Sequence, residues 1–380
     1  MSRNTIAFAK PFFDEREAAA AADVIASGWV VGGPKLAELE GMFAARCGAA
    51  CAVGVSSWTT GAFLVLHAWG LGPGDEVLVP SLTFIASVNV VRHVGATPIF
   101  VEVDPHTWTI DPGDVQAKIT ARTRAILPID QLGMPCDIEA INASAKRHGL
   151  HVLQDAACAI GARSNGYPIG ARAEIAVFSL QARKVVTTGE GGVIVTNDQD
   201  LAQRLRLLRH QGMSLSDYQR HNAPPTLFEE YPEIGYNFRI TDIQAAIGVV
   251  QMHKLDEMLG RRRTIAERYS RALATSELLA PPFVPPGAEP NWQSYQTSLR
   301  HGSLGERNAV MDRLAELGIP TRRGVMASHL EPPYRRDSCV LPITETCAAT
   351  TLQLPMHAGL ASEDVDRVLE ALSALSFATV

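Results

Sequence analysis

The 380-residue chain has six cysteines, Cys47, Cys51, Cys136, Cys158, Cys339 and Cys347. They are scattered. Only Cys47 and Cys51 are near neighbours, and no histidine or second cysteine pair stands beside them. The four-ligand spacing of a zinc site is missing, so no metal site is expected. The opening residues carry no sustained apolar run of the kind that directs export. The thiols are therefore expected to be reduced and the protein cytoplasmic. No stretch reaches the roughly 18 uninterrupted apolar residues of a membrane helix. There is no long basic run, and the net charge is −6. Nucleic acid and membrane are both unexpected partners. Internal repeats and low-complexity segments are also missing.

What is present is apolar material, 46% of the residues, enough for a large buried core. Glu76–Pro80, Thr97–Val103, Arg124–Ile129, Leu150–Gln154, Ile175–Ser179 and Gly191–Thr196 read as buried strands. They are short, rich in β-branched residues and bounded by Gly, Pro or Asp. Between them lie helical patterns, such as Asp137–Gly149, with Ile138, Ile141 and Ala145 at helical spacing and Gly149 as a C-cap. Strand and helix in alternation predict an α/β domain, a mostly parallel sheet sandwiched by helices. After about Thr241 the pattern changes. Asp242–Leu273 reads as one long helix and Leu278–Trp292 as an irregular proline-rich connection. A strand at Ser294–Leu299, a helix at Glu306–Gly318 and a terminal helix from Ser362 follow. Residues 1–250 are expected to form the large domain with an N-terminal arm, and 251–380 a smaller α+β domain.

Four places carry chemistry. Lys184 follows the Ile175–Ser179 strand on a loop that leads into Thr187–Gly192. A loop lysine is ordinarily solvated, but Gly189, Gly191 and Gly192 suggest that something bulky is held close by. A lysine desolvated there would have an amine free for imine formation. Asp155 ends a strand, at the sheet edge where α/β folds bind ligands. It can cap the segment that follows, or pair with a protonated ring nitrogen. Ser57, Trp58 and Thr59 open a helix, which suits either an ordinary cap or a phosphate. Phe84 sits at a strand-to-helix junction, as a core residue or as an aromatic stacked on a planar group. Gly70–Glu76 resembles a nucleotide-binding glycine loop but lies between helix and strand, the wrong order, and reads as a turn.

Along the chain these features fall in the order serine-rich turn, GPGDEV, PSLTF, EVDP, aspartate after a strand, FSLQARK and TTGEGG. Together they resemble the DegT/DnrJ/StrS sugar aminotransferases. The likeness runs from Ser27–Glu40 through Gly235–Gln251 to Leu352–Leu360, nearly the whole chain. It implies the aspartate-aminotransferase-like architecture of fold type I. It also implies pyridoxal 5'-phosphate as cofactor, with pyridoxamine phosphate as its alternate form. In that likeness Lys184 is the Schiff-base lysine and Asp155 the partner of the pyridine nitrogen. Phe84 stacks on the ring, and Trp58 (through its backbone), Thr59 and Ser179 cradle the phosphate. Asn237 is donated across a homodimer interface, so that each active site is shared. The substrates implied are an amino-acid donor, L-glutamate foremost, and a keto-sugar acceptor carried on a nucleotide. Arg323 and His329 are the candidates for the acceptor's side.

Three departures stand out. Trp58 replaces a small residue. Cys158 occupies a cofactor-edge position where Gln or His is usual, with a weaker hydrogen-bonding group. Asp130-Gln131 stand in a segment more often read VHLYG, and receive no role. A ketocyclitol acceptor remains an alternative. So does sugar dehydration with the same cofactor, although the relatives that dehydrate carry His where this chain has Lys184.

Overall fold

A computed structural model describes residues 5–224, 226–335 and 339–375. Its central sheet is built from β1 (Cys51–Val55), β2 (Glu76–Pro80), β3 (Thr97–Val101), β4 (Thr123–Ile126), β5 (His151–Asp155), β6 (Ile175–Ser179) and β7 (Gly192–Thr196). The strand order is β1-β7-β6-β5-β4-β2-β3. β7 runs antiparallel to both its neighbours, and β6, β5, β4, β2 and β3 pair in parallel. The sheet is thus mixed and mostly parallel, with helices on both faces.

Alternation along the strands divides the core into two layers. On one face Leu78, Ile126, Phe178, Val193 and Val195 pack with Leu39 and Phe43 of helix Pro34–Cys47. On the other, Val77, Val79, Leu153, Val177 and Ile194 pack with Leu64 and Val65 of helix Trp58–Ala68. Both faces are buried, which is why these strands read as continuous apolar runs rather than alternating ones. Deleting one such side chain to alanine typically costs about 2–5 kcal/mol.

A third cluster joins Tyr269, Leu273, Tyr295, Val310, Leu352, Leu354 and Val368. It packs beneath a four-stranded antiparallel sheet of Leu279–Ala280, Tyr295–Leu299, Thr351–Leu354 and Arg322–Arg323. The N-terminal arm belongs to this layer. Ile6 is buried in the cluster, Ile6 N donates to the Gly318 carbonyl at 3.1 Å, and Met356 N donates to that of Phe8 at 3.1 Å.

The long helix expected over Asp242–Leu273 is two, Asp242–His253 and Leu255–Ala274. The break falls at Lys254, where backbone φ is −90° and ψ −2°. Lys254 is 2% exposed; its Nζ is paired with Glu17 and lies 3.1 Å from Asp14 Oδ2. The cost of burying that ammonium is offset by the two carboxylates. The second helix starts in the first core, with Leu255 and Met258, and ends in the third, with Tyr269 and Leu273. Leu278–Trp292, read as irregular, contributes two short edge strands, Leu279–Ala280 and Ala288–Glu289.

Candidate active site

At the carboxyl ends of β5 and β6 the sheet opens into a cavity of about 580 Å3. Trp58, Thr59, Phe84, Asp155, Cys158, Ser179 and Lys184, drawn from four separate stretches of sequence, line it. This is where open α/β sheets place ligands.

Helix Trp58–Ala68 begins at Ser57, whose hydroxyl accepts from Thr60 N at 3.1 Å in a capping box. The amides of Trp58 and Thr59 stand in the first turn, where no intrahelical carbonyl reaches them. The Trp58 indole is directed away from that turn: it is buried, and its Nε1 donates to the Val177 carbonyl at 3.1 Å. Trp58 therefore fills the core with its side chain and leaves its own amide at the helix start. Gly192 permits the close approach of β7 to this turn. A Cβ there would lie 2.7 Å from Ser57 C and 2.8 Å from Trp58 N.

Asp155 is 4% exposed. Its Oδ2 accepts from Ser87 Oγ at 2.8 Å and its Oδ1 from Ala157 N at 3.0 Å. Burial raises its pKa to about 6, against the opposing pull of those hydrogen bonds and of the Lys184 charge. Among the described residues it makes no ion pair. Nearby Asp130 is also buried, and accepts from Cys136 N at 3.0 Å and from Gln154 Nε2 at 3.0 Å. Its burial, with Asp155 adding to it, lifts its pKa to about 7. Gln131, left without a role in the sequence, donates to the Leu82 carbonyl from the cavity wall.

Lys184 stands on a tight loop. Lys184 N donates to the Gln181 carbonyl at 2.8 Å, and Thr188 N to that of Leu180 at 3.0 Å. Gly189 turns the chain at φ 83°. The Lys184 ammonium has no carboxylate partner among the described residues; Nζ lies 3.0 Å from Cys158 Sγ. Phe84 presents its ring to the cavity and is 62% exposed, unusual for a phenylalanine inside a folded domain. Arg323 lies on the rim with Arg183 and Arg322, all three exposed.

Two expected residues lie elsewhere. His329 is 1% exposed and off the cavity wall. Its Nδ1 is 2.7 Å from Ser81 Oγ and its Nε2 3.2 Å from Glu345 Oε1, so it ties the end of β2 to helix Pro342–Thr350. That is a joint in the scaffold, and the reading of His329 as an acceptor-binding residue is corrected accordingly. Asn237 is exposed and outside this chain's cavity; its segment bridges to His210. Sequence reasoning passed over Ser87, Arg183 and Arg322. Ser87 had one signal, its place one turn after Thr83 at the start of helix Ala86–His93.

These residues fit pyridoxal phosphate. A buried carboxylate without a cation suits a protonated ring nitrogen. Unpaired first-turn amides suit a phosphate, an exposed aromatic suits a ring face, and an amine with no carboxylate partner suits an aldehyde carbon. The comparisons with known proteins agree. The model of the DegT/DnrJ/EryC1/StrS aminotransferase family matches residues 11–373. GDP-perosamine synthase of Caulobacter vibrioides is 40% identical over 371 residues, 97% of each chain. DesV of S. venezuelae, solved in complex with a ketimine intermediate, superposes with a TM-score of 0.89 at 35% identity, covering 98% of both chains. Spr1654 of Streptococcus pneumoniae, solved in its PMP form, gives a TM-score of 0.93 at 28% identity over 99% of this chain and 100% of its own. Residues 11–373 and this near-complete similarity place the chain in the DegT/DnrJ/EryC1/StrS aminotransferase family.

Proposed function

We propose that this aminotransferase moves an amino group from an amino acid, L-glutamate foremost, to a keto-sugar carried on a nucleoside diphosphate, with pyridoxal phosphate held at Lys184. The observation that carries the reading is that Asp155, a carboxylate with no ion-pair partner among the described residues, and Lys184, an amine with no carboxylate partner among them, line one cavity beside an exposed Phe84. Bound pyridoxal phosphate supplies an electron sink for the pair left when the donor's Cα–H bond breaks.

Asp155 keeps a proton on the ring nitrogen, and Ser87 and Ala157 N hold its carboxylate in place. Phe84 covers one ring face. The amides of Trp58 and Thr59, with Ser179, receive the phosphate. Lys184 Nζ takes the proton from the donor's α-carbon and returns it one position along, as general base and then general acid. In a ping-pong cycle the same residues would serve the amino-acid donor first and the keto-sugar second. Arg183, Arg322 and Arg323 put three guanidinium groups at the rim, where they can meet a diphosphate. GDP-perosamine synthase, at 40% identity, supports a nucleotide-linked acceptor. Lys184 itself favours amination over dehydration.

The working unit in this reading is a homodimer. Asn237, exposed and outside its own chain's cavity, would serve the partner's site. Leu227, Phe228, Tyr231 and Ile234, in the segment leading to it, are 51%, 77%, 57% and 89% exposed, an apolar surface that a second copy would cover. No helix among the described residues is long and apolar enough to cross a membrane.

The test is a screen of nucleotide-linked keto-sugars and ketocyclitols with glutamate, read by product mass. Amination confined to nucleotide-linked sugars supports the proposal. Amination of ketocyclitols alone overturns the acceptor assignment.

A further inference from the structure

Cys158 and Lys184 form a pair of nucleophiles on the cavity wall, with Sγ and Nζ 3.0 Å apart. The contact is built into the scaffold. Asn291 Nδ2 donates to the Cys158 carbonyl at 2.7 Å and to that of Ile160 at 2.9 Å. Two residues on, Gln293 Nε2 donates to the Arg183 carbonyl at 2.6 Å, and Gln293 N donates to Asn291 Oδ1 at 2.9 Å. One short segment thus holds the backbone beside both partners. Cys158 is half-buried and faces a cavity that small solutes can enter, unlike Cys47, Cys136 and Cys347, which are buried.

We propose that Cys158 and Lys184 join through a reversible sulfur–nitrogen bond on exposure to a hydroperoxide, closing the active site whenever Lys184 is not carrying the cofactor. The first step is attack of the thiolate on the peroxide. A sulfur–oxygen bond forms, the peroxide O–O bond breaks, sulfur loses two electrons and the peroxide leaves as alcohol or water. In the second, the neutral Lys184 amine attacks that sulfur. An N–S bond forms, the S–O bond breaks, and hydroxide leaves with the amine's proton as water. The net change is one thiol plus one amine plus one hydrogen peroxide to one sulfenamide plus two waters. A low-molecular-weight thiol reverses it by attacking sulfur and releasing the amine.

The inference has a consequence for the catalytic cycle, which rests on the reading of Lys184 given above. With pyridoxal phosphate bound, the Lys184 nitrogen is taken and no N–S bond can form. With pyridoxamine phosphate bound the amine is free beside Cys158, so the enzyme is vulnerable in only half of its cycle. Substrate supply, which sets the balance between the two forms, then sets its sensitivity to oxidant.

The experiment uses the full-length chain in three states: cofactor-free, loaded with pyridoxamine phosphate, and loaded with pyridoxal phosphate. Each is treated with hydrogen peroxide, alkylated and mapped by peptide mass. The first two are expected to lose about 2 Da and to yield one linked pair joining the Cys158 and Lys184 peptides, released by dithiothreitol. The pyridoxal phosphate form is expected to be protected, and Cys158→Ser to give no linked pair in any state. Oxidation of the cofactor-free chain to a sulfinic acid or a disulfide, with no Cys158–Lys184 link, overturns the proposal. Linking to the same extent in all three states leaves the bond standing and overturns instead the placement of the cofactor on Lys184.

Discussion

The hydroxyl of Ser87 donates to Oδ2 of Asp155 at 2.8 Å, joining the start of helix Ala86–His93 to the end of β5. Thr83 Oγ1 donates in turn to Ser87 Oγ at 3.2 Å. The chain of donors favours the charged form of a carboxylate that burial pushes towards neutrality. Hydrogen bonds to charged groups are worth about 1.5–3 kcal/mol. Ser87→Ala should therefore raise the pKa of Asp155 further and weaken cofactor binding on the order of 10- to 100-fold. Equilibrium titration with pyridoxal phosphate measures this. Unchanged affinity would mean that the contact with Asp155 serves the scaffold alone.

Asp130 gives a pH dependence whose sign can be worked out. Its pKa is lifted from 3.8 to about 7, first by burial. The native chain therefore holds this proton more tightly than the unfolded chain. Its contribution to stability is highest below about pH 4, falls as pH rises to about 7, and is flat above. Asp130→Asn removes that contribution. In the cofactor-free protein the stability of the variant relative to the parent should rise from pH 4 to pH 7 and then level off. Denaturant titrations of both proteins across that range test it. A difference independent of pH would show that Asp130 titrates normally in the fold.

Gly192→Ala places a methyl against the backbone of Ser57 and Trp58, which cannot swing aside as a flexible side chain can. Either β7 or the first turn of helix Trp58–Ala68 must shift. Overpacking of this kind costs about 1–3 kcal/mol. Thermal unfolding should register the loss, and pyridoxal phosphate affinity should fall with it, because the displaced turn is the proposed phosphate site. A drop in melting temperature with full affinity would move the phosphate elsewhere.

If Asn237 serves the partner's site, two defective chains can complement each other. Mixing Lys184→Ala with Asn237→Ala gives a heterodimer in which one site holds both substitutions and the other neither. Activity should return towards about half of the parental value per heterodimer. Mixtures no more active than the sum of their parts would return Asn237 to an ordinary surface role.

Much of this was legible in the sequence, for identifiable reasons. β2 and β6 read correctly because both their faces are buried, so the apolar run shows without reference to neighbours. Gly149 was recognised as a C-cap because a left-handed residue at a helix end is a local requirement, met here at φ 65°. Lys184, Asp155 and Phe84 were found through the order of motifs, and the fold brings them to one cavity. The break at Lys254 was not legible; the partners of its buried ammonium, Glu17 and Asp14, lie far away in sequence. His329 was a candidate for the acceptor's side, but its burial against Ser81 and Glu345 is set by packing of distant elements. Ser87 was missed for the same reason: its partner lies 68 residues away.

The central claim, that Lys184 carries the cofactor and moves the proton, is tested most directly by the absorption spectrum of Lys184→Ala with pyridoxal phosphate, alongside that of the parent. The parent should absorb at the violet edge of the visible and bleach on addition of glutamate. The variant should bind the cofactor without that protein-linked band, and its turnover should fall on the order of 10²- to 10⁴-fold or more. A variant that keeps the parental band and full transamination would contradict the account.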